Sequence, residues 1–197
     1  GTLGRLILGL LIKSPKKIKI IGDKSLSKRD FSRVTTPLKK FGVKFSYKIK
    51  NKLPLTIHGT QSAKGIKYFE NKGSAQCKSS VMLAALNASG TTSIKAKKSR
   101  NHTELLFKYL KIPIKVRKTK KFDFIDIKKP KKINAFNYQI PGDISSSAFF
   151  MVLTTLADNS KLLVKNVNIN PSRVGVITIL KKMGAQIILK NQKNYRG

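Results

Sequence analysis

Cysteine and histidine are scarce in this 197-residue sequence, which contains one cysteine, Cys77, and two histidines, His58 and His102. A single thiol excludes an intrachain disulfide. Two histidines and one thiol are also fewer than the four ligands that a structural zinc site usually has. Cys77 lies at a predicted helix start with no base placed near it in the sequence. We therefore interpret it as a small buried apolar residue and not as a nucleophile. This cysteine usage fits a reducing compartment, and we predict a cytoplasmic protein.

Acidic residues are also few, because 8 carboxylates stand against 42 lysines and arginines, for a formal net charge of +34. Such a balance is typical of proteins that bind nucleic acids or membrane surfaces. Only seven of the basic residues are arginine, however, and the lysines are spread through nearly every segment without the clusters and interleaved aromatics of a nucleic-acid face. We interpret most of the basic side chains as part of a solvated surface and expect only a local group of them to bind an anionic ligand. A lysine-rich nucleic-acid-binding protein remains an alternative.

Long apolar runs are absent as well. The longest near the start, residues 6–12, is too short to cross a bilayer, so we predict no membrane association. The sequence also lacks a Walker A motif, a G-x-S-x-G motif, a metal-ligand cluster and an evident pair of catalytic carboxylates. With 40% hydrophobic residues the chain can nevertheless build a core, and its composition is that of an α/β protein.

A repeat of about 70 residues organises the chain. Each copy has apolar residues at helical spacing, followed by a strand pattern, and the helices end near Phe41, Leu110 and Met183. The offsets between these positions are 69 and 73 residues. Alternating segments predict further strands, among them KIKII, LPLTIHGT, IKVRKTK, FDFIDIKK and NAFNYQI, and the order of elements in the repeat predicts strands at KLLVKNV and QIIL. Each copy is thus an α/β module that needs neighbours to bury its sheet.

Three predicted helices begin after serine-rich polar segments. The unpaired N–H groups and the positive dipole end of a helix N-terminus suit it to an anion. The first segment contains Ser74, Ala75 and Gln76, with Lys78 one turn into the helix. The second places Ser99 and Arg100 before a possible capping box, and the third is PGDISSSAFF.

These segments have two interpretations. Serine and asparagine are good helix caps on their own, and Asp143 or Asn101, the latter paired with Glu104, would serve in the same way. Alternatively, the segments bind a substrate that carries a phosphate or a carboxylate. Three such segments occur in repeated units, and two of them have a cation beside them. An arginine can donate two parallel hydrogen bonds to a phosphate or a carboxylate, which favours this interpretation.

Five motifs, in order along the chain, resemble those of the 5-enolpyruvylshikimate-3-phosphate synthase family: GDKSLSKR, GSAQCKSSVMLAAL, SRNHTE, PGDISSSAFF and NPSRVGVITILKKMGA. The likeness covers essentially the whole chain, and its SAQ-x-K-S, SR-x-HTE and NP-x-R-x-G forms resemble the branch with many glyphosate-insensitive enzymes. It implies an α/β, two-lobed enolpyruvyl transferase fold built from repeated β-α-β-α-β-β units, only partly present here. The internal repeat points to the same architecture.

The resemblance also implies an activity. Enzymes of this family transfer the enolpyruvyl group of phosphoenolpyruvate to the 5-hydroxyl of shikimate 3-phosphate and release phosphate, on the route to chorismate and the aromatic amino acids. They use no metal and no organic cofactor. The implied partners are the two small-molecule substrates, with no specific nucleic acid and no membrane, and we predict a monomer.

Carried over motif by motif, the resemblance implies two sets of binding residues. Shikimate 3-phosphate would be bound by Ser74, Ala75, Gln76, Ser99 and Arg100. Phosphoenolpyruvate would be bound by Gly1, Arg29 and Gln76, since Gly1 and Thr2 resemble the end of an N-x-G-T-x-x-R motif that Arg5 completes. The sequence departs from the family at Asp30, where a proline is common.

The resemblance places residues 1–140 in the later part of the N-terminal lobe, and residues 141–197 in the crossover and the first unit of the C-terminal lobe. Both ends of the full enzyme would be missing, and with them the catalytic carboxylates, so we assign no catalytic residue and expect residues 1–197 alone to be inactive. The nearest alternative with the same fold is the UDP-N-acetylglucosamine enolpyruvyl transferase. The SAQ-x-K and SR-x-HTE motifs favour the shikimate enzyme.

Overall fold

The computed structural model describes residues 1–194, which form two compact units. Unit 1 comprises Gly1–Asn134, and unit 2 begins at Ala135. The assignment of residues 1–140 and 141–197 to two lobes stays a prediction, and the last three residues of the second range lie outside the described residues. No helix among residues 1–194 is both long and apolar enough to cross a membrane.

Unit 1 alternates between helices and strands. Its helices are α1 (Thr2–Leu10), α2 (Lys24–Ser27), α3 (Ser32–Lys39), α4 (Ala75–Ala85) and α5 (His102–Tyr109). Its strands are β1 (Ile18–Ile20), β2 (Lys44–Tyr47), β3 (Leu55–His58), β4 (Lys67–Glu70), β5 (Thr91–Lys97), β6 (Ile114–Lys118) and β7 (Phe122–Lys128). A 3-10 turn, Leu11–Lys13, follows α1 directly.

The strands of unit 1 form two sheets with related topology. The first sheet has the order β1-β3-β2 and is antiparallel throughout. The second has the order β4-β5-β7-β6, in which β4 and β5 run parallel and the other pairs are antiparallel. The order β5-β7-β6 repeats β1-β3-β2, and β4-α4-β5-α5-β6-β7 is one complete β-α-β-α-β-β unit. The mixed α/β class is therefore confirmed, and the predicted repeat is confirmed for its two copies in unit 1.

The helices of unit 1 bury their apolar faces in a shared core. The spacing of Phe31, Val34 and Leu38 predicts a helix that the structure has as α3, and these three side chains are at most 1% exposed. Most of α4 is buried, because α1 and α3 pack on it and its inner face covers the second sheet. Cys77 lies within this core at 3% exposure, which confirms its interpretation as a buried apolar residue.

Residues 135–194 of unit 2 contain two helices, α6 (Ile144–Leu156) and α7 (Gly175–Lys182), and no strand. Gly142 and Val167 form an isolated parallel bridge. The strand predictions for NAFNYQI, KLLVKNV and QIIL are thus wrong. Alternation supplies an apolar face, but a strand also needs a neighbour for its N–H and C=O groups, and these segments have no partner strand among the described residues.

Candidate functional site

The site predicted from the sequence centres on two loops that follow parallel strands. In the ladder between β4 and β5, Glu70 is paired with Ala96, so both strands end at the same edge of the sheet. Each strand then leads through a short loop into a helix, β4 into α4 and β5 into α5. The loops approach each other closely, since a Cβ atom added at Gly73 would lie 3.4 Å from the carbonyl oxygen of Lys98. The topology therefore brings the Ser74 and Ser99 segments side by side.

The start of α4 is held by hydrogen bonds from both sides. The Ser74 Oγ accepts a hydrogen bond from the Cys77 N–H at 3.3 Å and caps the helix. The Glu70 carboxylate at the end of β4 accepts hydrogen bonds from the N–H groups of Ser74 at 2.9 Å and Lys72 at 3.3 Å. The Ser74 hydroxyl can still donate its proton to a ligand while it accepts from the helix. The N–H of Ala75, in the first turn, has no carbonyl partner within the helix.

Helix α1 lies parallel to α4, with both N-termini at the same end. The Gln76 side chain links them, because its Oε1 accepts a hydrogen bond from Arg5 Nη1 at 2.6 Å and its Nε2 donates to Thr2 Oγ1 at 2.8 Å. One turn further along, the Ser80 Oγ donates to the carbonyl oxygen of Arg5 at 3.0 Å. Two positive dipole ends therefore point to one place, which favours an anion there.

Arg29 reaches the start of α1 from the loop after α2. A Cβ atom added at Gly1 would lie 3.1 Å from Arg29 Nη1, so the guanidinium lies against the Gly1 backbone. Arg5 also turns toward this region, with its guanidinium 5.8 Å from the centre of the Phe31 ring. The three residues assigned to phosphoenolpyruvate, Gly1, Arg29 and Gln76, thus share one end of the α1–α4 pair.

Ser99 and Arg100 lie between β5 and α5. The Ser99 Oγ is buried and has no hydrogen-bond partner within the described part of the chain, residues 1–194. A buried hydroxyl without a hydrogen bond lowers the stability of the protein unless a ligand or a water molecule forms a hydrogen bond with it. The Arg100 side chain is exposed, whereas its backbone carbonyl accepts a hydrogen bond from Lys78 Nζ at 2.9 Å. This segment therefore offers a free hydroxyl and a free guanidinium on a fixed backbone.

Two expectations about this region are wrong. Lys78 is no surface cation at the helix entrance, because it has no exposed side-chain surface and pairs with Glu104 Oε1 at 2.6 Å. Glu104 consequently does not form a capping box with Asn101, whose side chain makes no cap hydrogen bond to α5. Glu104 turns inward because a fully buried ammonium group needs a counter-charge more than the exposed helix end needs a cap.

The third serine-rich segment is organised differently. Asp143 caps α6 by accepting a hydrogen bond from the Ser145 N–H at 3.1 Å, which confirms the cap interpretation of this residue. Arg173 Nη2 lies 2.6 Å from Asp143 Oδ1 and also donates to the Ser145 Oγ. Because the helix end and the guanidinium are already neutralised by one carboxylate, this entrance is less suited to an external anion than the one at Ser74.

Sequence reasoning does not identify two of the groups that shape this site. Glu70 lies in an ordinary strand pattern, and nothing in the sequence indicates that its carboxylate turns back to the start of α4. The role of Lys78 is hidden because helical spacing alone does not reveal which turn faces the core. One signal in the sequence could have identified these groups. The chain has only 8 carboxylates, and two of them, Glu70 and Glu104, lie beside the Ser74 and Ser99 segments.

Comparisons with known proteins agree with this geometry. The family model described as EPSP synthase (3-phosphoshikimate 1-carboxyvinyltransferase) matches residues 1–196. A 3-phosphoshikimate 1-carboxyvinyltransferase from Thermoanaerobacter sp. (strain X514) is 41% identical over 194 residues, covering 98% of this chain and 45% of the relative. The protein of the same name from Hydrogenovibrio crunogenus is 41% identical over 199 residues, covering 100% of this chain and 45% of the relative.

Solved structures give the same result. An EPSP synthase from Acinetobacter baumannii superimposes with a TM-score of 0.81 at 36% identity, covering 98% of this chain and 43% of that enzyme. The chain thus spans less than half the length of the relatives it matches. Since the family match runs through nearly every residue, the resemblance read from the five motifs is confirmed, and the chain belongs to the EPSP synthase family.

Proposed function

We propose that this protein transfers the enolpyruvyl group of phosphoenolpyruvate to the 5-hydroxyl of shikimate 3-phosphate and releases phosphate. One structural observation supports the proposal independently of family membership. The loops after β4 and β5 place the Ser74 cap beside a segment with the orphaned Ser99 hydroxyl and the exposed Arg100 guanidinium. Hydroxyl donors, helix N–H groups and an arginine form a suitable set for a phosphate monoester.

The proposed binding of shikimate 3-phosphate follows from these donors. The hydroxyls of Ser74 and Ser99, the Ala75 N–H and the Arg100 guanidinium donate hydrogen bonds to the phosphate or the adjacent ring hydroxyls. Gln76 contributes from the first turn of α4. The hydrogen bond from Ser99 should contribute the most to binding, because the buried Ser99 Oγ has no other hydrogen-bond partner among residues 1–194.

Phosphoenolpyruvate carries a phosphate and a carboxylate, and we assign it to the end of the α1–α4 pair. Arg29 provides charge there, and the absence of a side chain at Gly1 leaves room for the Arg29 guanidinium. Gln76, held between Arg5 and Thr2, lies between the two proposed sites and would contact both substrates.

The chemistry itself is an addition followed by an elimination. The 5-hydroxyl oxygen bonds to C2 of phosphoenolpyruvate as its own proton passes to a base and another proton is added to the methylene carbon, which becomes a methyl group. Loss of a proton from that methyl group and cleavage of the bond between C2 and the phosphate oxygen then restore the double bond and release phosphate. The residues described here bind and orient the substrates and stabilise their charges. We assign the general acid and base to parts of the protein outside residues 1–197.

We further propose that the protein is a cytoplasmic monomer whose partners are these two small molecules, with no specific nucleic acid and no membrane. The single cysteine, which is buried and free, supports a reducing compartment. The lysines spread over the surface without an accompanying recognition module support a solvated role for most of the charge.

The first test is turnover by the full-length protein. Phosphate release is measured with both substrates for the unmodified enzyme, for Arg100→Ala and for Arg117→Ala. Arg117 is the matched control, because this arginine lies on β6 with its guanidinium 4.2 Å from the centre of the Phe124 ring. We expect Arg100→Ala to raise the KM for shikimate 3-phosphate by about 10- to 100-fold, because a charged hydrogen bond contributes about 1.5–3 kcal/mol.

The outcomes separate the parts of the proposal. Lack of turnover by a folded, unmodified enzyme would contradict the function, and UDP-N-acetylglucosamine would be the next acceptor to assay. Turnover with equal KM values in the two arginine variants would retain the function and refute the phosphate site.

A further inference from the structure

Lys78 is the most deeply buried charged group near the proposed substrate site. It lies in the first turn of α4, four residues after the Ser74 cap, and its side chain has 0% relative exposure. Burial of an ammonium group is unfavourable unless the group is paired and hydrogen-bonded. Its partners should therefore reveal why a lysine is present at this position.

The Lys78 ammonium has two partners from different parts of unit 1. It lies 2.6 Å from Glu104 Oε1 on α5, and it donates a hydrogen bond to the backbone carbonyl oxygen of Arg100 at 2.9 Å. A neighbouring hydrogen bond between the hydroxyls of Ser79 and Thr103, at 2.7 Å, joins the same two helices. Lys78 thus connects the helix that begins at Ser74 to the backbone that carries Ser99 and Arg100.

Stability alone does not explain this arrangement well. Buried ion pairs are often no more stabilising than apolar residues of similar volume. In this pair, moreover, Glu104 Oε2 is buried and has no hydrogen-bond partner among residues 1–194, so the carboxylate is only half satisfied. The Ser79–Thr103 hydrogen bond already joins the helices. The contact that an apolar replacement would lose is the one to the Arg100 carbonyl.

We propose that Lys78 is a positioning residue for shikimate 3-phosphate. Its ammonium fixes the Arg100 backbone relative to the N-terminus of α4, so that the Arg100 guanidinium, the Ser99 hydroxyl and the Ser74 hydroxyl meet one phosphate without rearrangement. Glu104 supplies the counter-charge that stabilises this buried ammonium, whereas the hydrogen bond to the Arg100 carbonyl oxygen does the positioning. The inference rests on the proposed function, because it concerns binding of the same substrate.

The test compares four variants in the full-length enzyme. Glu104→Gln removes the counter-charge but retains Lys78 as the donor to Arg100. Lys78→Met and the double variant Lys78→Met/Glu104→Gln remove that donor, and the double variant leaves no unpaired buried charge. Ile127→Ala is the control for general loss of stability, because this fully buried residue of β7 pairs with Thr92, near the start of β5 and away from Ser99.

We expect both Lys78 variants to raise the KM for shikimate 3-phosphate by roughly tenfold, since weakening one charged hydrogen bond to the phosphate has an effect of about this size. Their kcat and their KM for phosphoenolpyruvate should change by less than about twofold in the absence of a role in chemistry. Glu104→Gln and Ile127→Ala should lower the melting temperature and leave the KM for shikimate 3-phosphate unchanged. Calorimetric titration of shikimate 3-phosphate without the second substrate should give the same ranking of affinities.

An unchanged KM for shikimate 3-phosphate in the Lys78 variants, with an active unmodified enzyme, would overturn the positioning role. A KM that follows the melting temperature across all four variants would also overturn it, in favour of a structural role. If neither neutral variant folds, Lys78→Arg is decisive: its larger planar head group should displace the Arg100 carbonyl and raise the KM, and an unchanged KM would refute the inference. An inactive unmodified enzyme would instead contradict the proposed function.

Discussion

Asp30 directly follows the proposed phosphoenolpyruvate ligand Arg29 and holds the start of α3. Its Oδ1 accepts a hydrogen bond from the Ser32 N–H at 2.6 Å, and its Oδ2 accepts one from the Ser32 Oγ at 2.8 Å. Phe31, the N-cap residue, has no side-chain oxygen for this purpose. The aspartate thus orders the turn where other family members commonly have proline, and Arg29 still reaches Gly1.

The same hydrogen bonds make a pH dependence predictable. The backbone hydrogen bond from Ser32 lowers the pKa of Asp30 below its usual 3.8, and the Ser32 hydroxyl adds to this effect. Because the folded pKa is the lower one, the stabilisation is complete above the unfolded pKa and is lost as the pH falls through the folded value. Asp30→Asn should therefore lower the free energy of unfolding at pH 7, by less than about 1 kcal/mol for this exposed group. The deficit should shrink in denaturant titrations below pH 4.

Asp158→Asn provides the control, because Asp158 is exposed and does not directly precede the first residue of any helix in residues 1–194. This variant should match the unmodified protein at both pH values. A deficit for Asp30→Asn that is the same at pH 7 and pH 3 would contradict the role assigned to the carboxylate charge.

At the scale of elements, the contact between α1 and α4 decides where Gln76, Thr2 and Arg5 meet. Gly9 permits this contact, since a Cβ atom added there would overlap with the Ser80 carbonyl oxygen and come within 3.2 Å of the Leu83 Cβ. Backbone atoms cannot move aside as the end of a flexible side chain can. The two helices are therefore close because this position is glycine.

Gly9→Ala should separate the helices in spite of the higher helix propensity of alanine. We expect a loss of about 1–3 kcal/mol in the free energy of unfolding, as is usual for overpacking. The full-length enzyme should also show a higher KM for phosphoenolpyruvate, because the hydrogen bonds from Gln76 to α1 would weaken. Denaturant unfolding and steady-state kinetics measure the two effects.

Gly175→Ala is the matched control for a glycine in a helix. Gly175 is the first residue of α7, and a Cβ atom added there would have no other atom within 4 Å. This variant should be unchanged or more stable by up to about 1 kcal/mol. Equal stability of the Gly9 and Gly175 variants would show that the close helix contact is not required.

At the scale of the whole molecule, the two units differ in how completely they bury apolar surface. Unit 1 has a continuous core that includes Leu8, Phe31, Ile57 and Ile127, each 0% exposed. In unit 2, α6 presents Phe149 at 79% exposure and Leu156 at 78%. Exposed apolar side chains on this scale mark a surface that is normally covered or prone to aggregation.

Residues 1–197 produced alone should therefore bind a hydrophobic dye such as ANS and release no phosphate from the two substrates. The dye signal should fall in a Phe149→Ser/Leu156→Ser variant and stay unchanged in Thr56→Ser, a change in β3 of unit 1. Measurable turnover by residues 1–197 would contradict the placement of the acid and base elsewhere in the protein. A dye signal that is insensitive to the α6 changes would contradict the assignment of the apolar surface to that helix.

The sequence by itself determined α3, α4, α5 and most strands of unit 1, the repeat within that unit, the family and the residues proposed to bind substrate. Periodicity, caps and motifs depend on neighbours a few residues away, as the burial of Val34 and Leu38 of α3 together with its N-cap residue Phe31 illustrates. Only the tertiary structure decided that Lys78 turns inward to the Arg100 carbonyl, 22 residues away, and that Gln76 binds Arg5, 71 residues away. It also decided that NAFNYQI, KLLVKNV and QIIL form no strand. A side chain's partner and a strand's neighbour are both set by how distant segments pack, and that packing is not encoded in any local pattern.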